Sequence, residues 1–348
     1  MILRQINPAY KLANRNDQCD AASMGDPSVS VALCTFNGAR WITEQLQSIL
    51  GQTRKPCQIV VCDDASTDDT VGIVRQIAAL TPVPFHIQVN PRNLGIAGNF
   101  QQALSLCRGE LIALSDQDDV WRPEKLEVLA NALQAQPAAA YAICNARLVD
   151  WQGTPMGYDL WDLHQLTPQR EAALAGDDSM ELLTLANFAT GATMLFRRCW
   201  LPQILPVSPN WIHDGWISLM LSAFARCVPV RRTLVDYRQH PGQKVGACRR
   251  SELRKLVWQR VMNREFYQRE SIRWADAYAF LSARRSLMRR ESDLTWVRRR
   301  AMFDRDRYEL RTAGELRWPL VADHALAGDY HRYGLGWLSA GVDLMIHG

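Results

Sequence analysis

Hydrophobic runs alternate with amphipathic segments from residue 29 to residue 144. The runs are short and rich in β-branched residues, which predicts strands, and apolar residues three and four positions apart predict helices between them. The predicted strands are VSVALC (29–34), CQIVVC (57–62), FHIQV (85–89), ELIAL (110–114) and AAYAIC (139–144). Strands that alternate with helices predict an α/β fold with a mainly parallel sheet flanked by helices.

The alternation loosens after residue 146. GATMLF (191–196) and TLVDYRQH (233–240) predict further strands, and 214–225 predicts a helix. From residue 249 to about residue 310 the pattern indicates long Arg-rich helices with interleaved aromatic residues, which helix packing explains most simply. We therefore expect an N-terminal arm (1–27), an α/β domain (28–245) and a helical C-terminal extension (246–348).

The composition is that of a globular protein, with 348 residues of which 47% are hydrophobic. No apolar stretch approaches the roughly 20 residues that span a bilayer, and the N-terminal stretch lacks the apolar core of a signal peptide. The nine cysteines are odd in number and form no C-x-x-C pair, so we expect reduced thiols. These features predict a cytoplasmic protein.

The net charge of +4 is unevenly distributed. Residues 249–312 contain 18 Lys and Arg against 9 Asp and Glu, so the rest of the chain is net negative by 5. A basic segment favours an anionic partner, such as a membrane surface or a lipid-linked substrate. The alternative is a helical bundle with a solvated arginine face, which could form a homo-oligomer. Nucleic acid is disfavoured because acids interrupt the basic residues and no recognition motif is present.

Polar clusters follow three of the predicted strands: TFNG (35–38), DDAST (63–67) and SDQDD (115–119). Parallel sheets bind ligands beyond the carboxyl ends of their strands, so these clusters predict a site. The D-x-D sequence of Asp116 and Asp118 suits Mg²⁺ or Mn²⁺, which take carboxylate oxygens and share them with phosphates. The alternatives are a solvated turn for SDQDD and a helix cap for DDAST.

Four segments together resemble family 2 glycosyltransferases: VALCTFNGARWITEQLQSILGQT, IVVCDDASTDDT, NPRNLGIAGNFQQAL and GELIALSDQDDVWRPEKL. The resemblance covers 28–240 and rests on four motifs in order. It implies a Rossmann-like GT-A fold and an inverting transfer from a nucleotide-sugar donor. SDQDDVW, TGATMLF and YRQHPGQKVG further resemble the bacterial rhamnosyltransferase-like branch, which builds cell-surface polysaccharides.

The resemblance also implies roles for individual residues. The nucleotide-sugar pocket would contain Thr35, Phe36, Asn37, Asp64, Arg92, Asn93, Asp116, Gln117 and Asp119. Asp64 would hold the base, and Asp119 would contact the donor sugar or cap the next turn. A divalent metal, Mg²⁺ or Mn²⁺, would be bound by Asp116, Asp118 and His240. A diphosphate contact and a purely structural role remain the alternatives for His240.

Asp214 is the candidate general base. An inverting transfer is a single displacement in which one carboxylate accepts the proton of the acceptor hydroxyl. The base of the family stands at the start of a helix, which Asp214 matches, although an Asp there is also an ordinary helix cap. Thr193, His213 and Trp216 would lie on the acceptor side. Core packing is the alternative for the strand that contains Thr193, and for His213.

These expectations combine into a metal-dependent inverting glycosyltransferase that adds a single sugar to a growing cell-surface polysaccharide or lipid-linked glycan. The implied donor is dTDP-L-rhamnose, and a UDP-hexose is the alternative. The processive synthases of the family have transmembrane helices and this chain predicts none, which favours single additions at the inner face of the membrane. A catalytically silent nucleotide-sugar-binding scaffold is the rival class.

Overall fold

The computed structural model describes residues 26–243, 263–312 and 318–345. The chain divides into two compact units, Met1–Ser179 with Asn187–Ala247 and Met180–Ala186 with Cys248–Gly348. Most of the expected N-terminal arm and residues 246–262 of the expected extension lie outside the described residues.

The first part of the sheet is parallel, as the alternating pattern predicts. Strand β1 pairs with β2 on one side and with β4 on the other, and β2 pairs with β3. Consequently Thr35 lies opposite Asp63, and Leu33 lies opposite Ser115, at one edge of the sheet. The elements are β1 (Val29–Thr35), α1 (Ile42–Leu50), β2 (Gln58–Asp63), α2 (Thr70–Ala79), β3 (Phe85–Val89), α3 (Gly95–Leu106) and β4 (Leu111–Ser115).

The second part of the first unit mixes strand directions. The sheet has nine strands in the order β3-β2-β1-β4-β8-β6-β9-β5, with β7 paired to β6. β8 is antiparallel to β4 and β6, whereas β6 and β9 are parallel. The elements are β5 (Val120–Trp121), α4 (Lys125–Ala135), β6 (Ala139–Val149), β7 (Pro155–Asp159), α5 (Leu160–His164), α6 (Pro168–Ala175), β8 (Met194–Arg197), α8 (Leu201–Ile204), α9 (His213–Phe224) and β9 (Arg226–Arg238). Between α6 and β8, α7 (Ser179–Leu185) belongs to the second unit from Met180 onward.

Three local predictions require correction. Residues Gly191–Thr193 form a 3₁₀ turn, so the strand predicted from residue 191 begins at Met194. Local bonding explains this, because the Thr193 hydroxyl donates to the Thr190 carbonyl at 2.7 Å. The strand predicted from residue 233 begins earlier, at Arg226. The prediction of reduced thiols was wrong for Cys199, which is disulfide-bonded; free thiols are present at Cys34, Cys57, Cys62, Cys107, Cys144 and Cys227.

The described part of the second unit is helical. Its main helices are α10 (Arg264–Ser282), α11 (Leu294–Leu310), α12 (Trp318–Leu326), α13 (Asp329–Tyr333) and α14 (Trp337–Met345). α10 packs against α11, and α12 contacts both α13 and α14. In the part of the chain that the structure describes, no helix is long and apolar enough to cross a membrane.

Several arginine side chains of the second unit are buried, which the sequence did not predict. Asp343 is fully buried, and its carboxylate accepts hydrogen bonds from Arg307, Arg311 and Tyr330. Arg300 is also buried and donates to Asp304 at 2.6 Å. Residues 180–186, 263–312 and 318–345 together contain 14 Lys and Arg and 12 Asp and Glu. Much of the positive charge in the described residues is therefore neutralised inside the unit.

Candidate active site

The ends of β1 and β2 are tied together by the carboxylate of Asp63. Thr35 Oγ1 and Ser66 Oγ donate to its Oδ2 at 2.7 and 2.6 Å. Asn37 extends the link, because its backbone N–H donates to Ser66 Oγ and its side-chain oxygen accepts from the N–H of Thr67. Asn37 has a positive φ of 49°, a conformation that Asn tolerates better than most residues. These bonds fix the loop that follows β1.

Gln117 joins that loop to the acidic segment after β4. Its amide oxygen accepts from the N–H of Phe36 at 2.8 Å, and its amide nitrogen donates to the Phe36 carbonyl at 3.0 Å. A Cβ on Gly38 would lie 2.1 Å from the Gln117 oxygen, so a larger residue there would displace the Gln117 amide. The ring of Phe36 remains 40% exposed at this edge of the sheet.

Asp64 lies at the N-terminus of α3. Its carboxylate accepts from the N–H groups of Leu94 and Gly95 at 2.7 and 2.9 Å and from the Asn90 amide at 3.0 Å. The sequence assigned Asp64 to a nucleotide base and did not indicate this cap on α3. Asn93 donates to the Asp64 carbonyl at 3.2 Å, and Arg92 is exposed.

The acidic segment after β4 concentrates negative charge in a buried place. Burial, followed by the charges of Asp118 and Asp214, raises the pKa of Asp116 to about 8. Burial likewise raises the pKa of Asp119, and the neighbouring acids add to it. Asp119 Oδ1 accepts from the N–H of Arg238, whereas its Oδ2 is buried without a hydrogen-bond partner among the described residues. The segment therefore holds carboxylates whose charge is not fully compensated.

Lys125 is a functional candidate that the sequence analysis missed. It is fully buried, its ammonium donates to the Ala192 carbonyl at 2.6 Å, and it lies 3.2 Å from the centroid of the Trp121 ring. Burial lowers its pKa to about 7, although Asp119 and Asp116 oppose that shift. Lys125 therefore connects the acidic segment to the 3₁₀ turn at Gly191–Thr193. Its position in the first turn of α4 resembled an ordinary surface lysine in the sequence.

Asp118 and His240 form a close pair. His240 Nε2 lies 2.9 Å from Asp118 Oδ2, and the ring of His240 contacts that of Trp41. Arg238 supports the pair, because its Nε donates to the Asp118 carbonyl at 2.8 Å and its Nη2 binds Glu44.

The three predicted metal ligands are not assembled as a set of three. Among residues 26–243, 263–312 and 318–345, no group of three or more His, Cys, Asp or Glu side chains could hold a metal ion. Asp118 and His240 supply one carboxylate and one imidazole, a donor pair that divalent cations accept. The buried, unpartnered Oδ2 of Asp119 adds negative charge beside them. This donor set fits a cation whose remaining positions a ligand or water fills.

Asp214 is in the first turn of α9 and is 8% exposed. Its Oδ2 accepts from the N–H of Gly191 at 3.0 Å, and its Oδ1 accepts from the Asn187 amide at 3.0 Å and from the N–H of Gly215. The carboxylate is thus held in one orientation by groups from two segments. Because Asp214 also raises the pKa of Asp116, both acids belong to one electrostatic site.

His213 packs inside the protein beside this carboxylate. Its ring stacks on Phe100 at 3.5 Å, and burial lowers its pKa to about 4. Neither ring nitrogen has a hydrogen-bond partner among the described residues. Trp216 donates to the Ile204 carbonyl, and Thr193 is also buried. The structure thus surrounds all three predicted acceptor-side residues with protein.

Two further residues of the site gave no sequence signal. Tyr237 is on β9, and burial raises its pKa, with Asp119, Asp116, Asp214 and Asp118 adding to the effect. His164 ends α5; burial lowers its pKa and the charge of Asp214 opposes that shift. Each residue is distant in sequence from the acids that influence its pKa, so folding is needed to bring them together.

The chain belongs to glycosyl transferase family 2, whose model matches residues 30–204. It is 26% identical over 222 residues to an uncharacterized glycosyltransferase of Nostoc sp., covering 61% of this chain and 65% of that protein. It is 29% identical over 177 residues to the chondroitin synthase of Escherichia coli, covering 50% of this chain and 23% of that protein. The matched region thus spans less than two thirds of either relative.

A mannosyltransferase from Pyrobaculum calidifontis, solved in complex with GDP-Man and Mn²⁺, has a similar fold. The TM-score is 0.50 at 19% sequence identity, and the match covers 92% of this chain and 85% of that one. This likeness supports the GT-A-type arrangement of the sheet and its flanking helices.

Proposed function

We propose that this chain is an inverting glycosyltransferase that transfers one sugar from a nucleotide-diphosphate donor to a hydroxyl of a cell-surface polysaccharide or lipid-linked glycan. The main support for this proposal is that two sets of side chains lie close to Asp116. One is the Asp118–His240 pair, and the other is the Asp214 carboxylate, held by Gly191 and Asn187. Asp118 and Asp214 both act electrostatically on Asp116, which supports a single site.

The nucleotide would lie over the first two strand ends. The exposed ring of Phe36 offers a surface for a planar base, and the loop that carries it is fixed by Gln117 and Asn37. Asp64 has a carboxylate oxygen with capacity for one more donor beyond its cap on α3, which is compatible with an imide N–H of a pyrimidine. These contacts favour a uridine or thymidine nucleotide.

Asp118 and His240 would hold a divalent cation, together with oxygens of the donor diphosphate. A bound cation would neutralise the charge that develops on the leaving diphosphate. The buried acids beside the pair favour a positive ligand, since their mutual repulsion is otherwise relieved only by protonation and by Lys125. The mannosyltransferase that shares this fold was solved with Mn²⁺, so Mn²⁺ is the first cation to test.

Asp214 would accept the proton of the acceptor hydroxyl. Its two oxygens accept three hydrogen bonds, which fix the carboxylate and leave one lone pair of Oδ2 for a substrate. A general base must lie within hydrogen-bond reach of the proton that it removes, and a fixed carboxylate meets that requirement without rearrangement. His213, neutral and stacked on Phe100, would act by packing and not by proton transfer.

We propose dTDP-L-rhamnose as the donor, because three sequence segments resemble the rhamnosyltransferase-like branch of the family. A UDP-hexose is the alternative donor. A thermal-shift panel of dTDP, UDP, GDP and CDP, each with and without Mn²⁺, tests the site. A ligand at about 100 times its dissociation constant stabilises a protein by about 2.7 kcal/mol. The proposal predicts metal-dependent stabilisation by dTDP or UDP. Stabilisation by no nucleotide would contradict a nucleotide-sugar site at these strand ends.

A further inference from the structure

Helix α14 exposes large apolar residues while it buries polar ones. Its buried residues are Ser339, Ala340, Val342 and Asp343, and Ser339 and Asp343 have no exposed surface. Its exposed residues are apolar: Trp337 (68%), Leu338 (46%), Leu344 (43%) and Met345 (71%). These four occur at positions i, i+1, i+7 and i+8, which share one face of a helix. We call this the apolar face of α14.

The orientation of α14 is fixed by the charge on its buried side. Asp343 Oδ2 accepts from Arg307 Nε at 2.6 Å and from Tyr330 Oη at 2.8 Å, and its Oδ1 accepts from Arg311 Nη2 at 2.7 Å. Turning the helix to bury its apolar face would leave a carboxylate and two arginines without these partners. Breaking a buried ion pair on one side is strongly unfavourable. The apolar face therefore points outward.

Helix α12, which contacts α14, has an exposed line of its own. Trp318 and Leu326 are 62% and 89% exposed, and with Ala322 they are spaced four residues apart along the helix. Exposed tryptophans and aliphatic residues on two neighbouring helices are unusual on a free protein surface and mark an interaction surface.

We propose that the apolar face of α14, together with the exposed line on α12, binds the interfacial region of a lipid bilayer. The face of α14 has no charged side chain, and the indole N–H of Trp337 is its one polar side-chain group. The side chains that this face would place in the bilayer are apolar or an indole, so the binding desolvates no charged group. Tryptophan beside aliphatic residues suits the boundary between headgroups and acyl chains.

The attachment is therefore hydrophobic. The described residues of this unit are nearly balanced in charge, with 14 Lys and Arg and 12 Asp and Glu, so electrostatic attraction to anionic lipid is secondary. The membrane's role as the location of a lipid-linked acceptor rests on the proposed function, whereas the binding itself does not.

Vesicle flotation of the full chain without any nucleotide sugar tests this inference. The probes are vesicles of phosphatidylcholine alone and of phosphatidylcholine with phosphatidylglycerol, at low salt and at about 1 M salt, where surface charges are screened. We expect flotation with both compositions and at both salt concentrations. The double variant Trp337→Ser/Leu344→Ser should lose at least about tenfold in binding, because it removes exposed apolar surface. Leu80→Ser, at a residue of the first unit that is 89% exposed, should bind as the unchanged chain does.

Three results would overturn the inference. The first is no flotation on either vesicle, and the second is flotation only with phosphatidylglycerol at low salt. The third is a dimer in light scattering that Trp337→Ser/Leu344→Ser converts to a monomer, which would assign the face to a second copy. Circular dichroism of each variant confirms folding. Because no donor is present, failure of flotation leaves the glycosyltransferase proposal intact, and failure of nucleotide binding leaves this inference intact.

Discussion

Asp118 and His240 lie 122 positions apart in the chain, yet the Asp118 Oδ2 and His240 Nε2 atoms are 2.9 Å apart. Asp118 follows β4 and His240 follows β9, so the pair forms only when the sheet is complete. The N–H of Gly242 donates to His240 Nδ1 at 3.2 Å, which orients the ring with Nε2 facing Asp118. The pair is therefore oriented before any ligand binds.

Replacing His240 tests the proposed cation site. We expect His240→Ala to lower the affinity for Mn²⁺, measured by calorimetry with UDP or dTDP present, by at least about tenfold, because it removes one of two protein ligands. His86→Ala, on the outer strand β3, is the control and should leave the affinity unchanged. Equal Mn²⁺ affinity in His240→Ala and the unchanged chain would exclude His240 as a ligand.

Asp64 has a structural role that can be separated from a role in nucleotide binding. Asp64→Ala should cost about 2 kcal/mol of unfolding free energy in urea titrations, because Leu94, Gly95 and Asn90 lose their acceptor. Asp69→Ala should cost far less, since Asp69 begins α2 without a side-chain cap. If Asp64 also holds the base, Asp64→Asn will weaken UDP binding but not pyrophosphate binding. Equal losses for both ligands would argue against that role.

Gly191 is closely packed against the proposed base. A Cβ on Gly191 would lie 2.7 Å from His213 Nε2 and 3.4 Å from the Cβ of Asp214. Gly191→Ala should therefore cost about 1–3 kcal/mol of unfolding free energy from overpacking. Because the closest atom belongs to His213, the double variant Gly191→Ala/His213→Ala should lose less than the sum of the two single losses. Additive losses would show that the histidine ring is not the obstacle.

His324 should make the stability of the second unit depend on pH. Burial lowers its pKa, but hydrogen bonds to Asp306 and Asp329 outweigh that effect and raise the pKa to about 9. Since the folded pKa exceeds the unfolded value, protonated His324 contributes its full stabilisation below about pH 6.5 and loses it as pH rises to about 9. The change is on the order of 3 kcal/mol for a shift of this size.

Urea unfolding of the full chain at pH 6.5 and at pH 9, read from residues of the second unit by hydrogen exchange, measures this dependence. His324→Gln should flatten the pH profile in that interval, whereas His331→Gln, at an exposed histidine, should preserve it. An unchanged profile in His324→Gln would refute the assignment.

Local patterns predicted the parallel part of the fold because each strand there is joined to the next by a helix, and strands joined through helices pair in parallel. The alternation that ends at Ser115 placed Thr35, Asp63 and Ser115 at one sheet edge, and the register confirms it. The sequence could not predict that β8 lies antiparallel between β4 and β6, because no local signal specifies which distant strand pairs with Met194–Arg197. The contact of Gly191 with Asp214 likewise joins residues that are 23 positions apart, so no local signal indicates it.

The sequence predicted the site residues that follow a strand in a polar cluster. It did not predict residues whose pKa is shifted only by burial in the folded protein. Asp116 and Asp118 were found from position and Asp214 from the family resemblance, and the structure brings all three into one electrostatic site. Lys125 and Tyr237 were missed because nothing in a sequence distinguishes a buried lysine or tyrosine from an ordinary one. The arginines around Asp343 were interpreted as a surface charge because their partner lies 32 or 36 residues away.

The central claim is that Asp214 is the base of a sugar transfer, and Asp214→Asn tests it most directly. The amide preserves the shape and keeps one acceptor oxygen, toward either Gly191 or Asn187 and Gly215, but cannot take a proton. Turnover with the donor identified by the nucleotide panel should fall by about 10²–10⁴, while the donor dissociation constant should change by less than about twofold. Turnover in Asp214→Asn equal to that of the unchanged chain would contradict the claim.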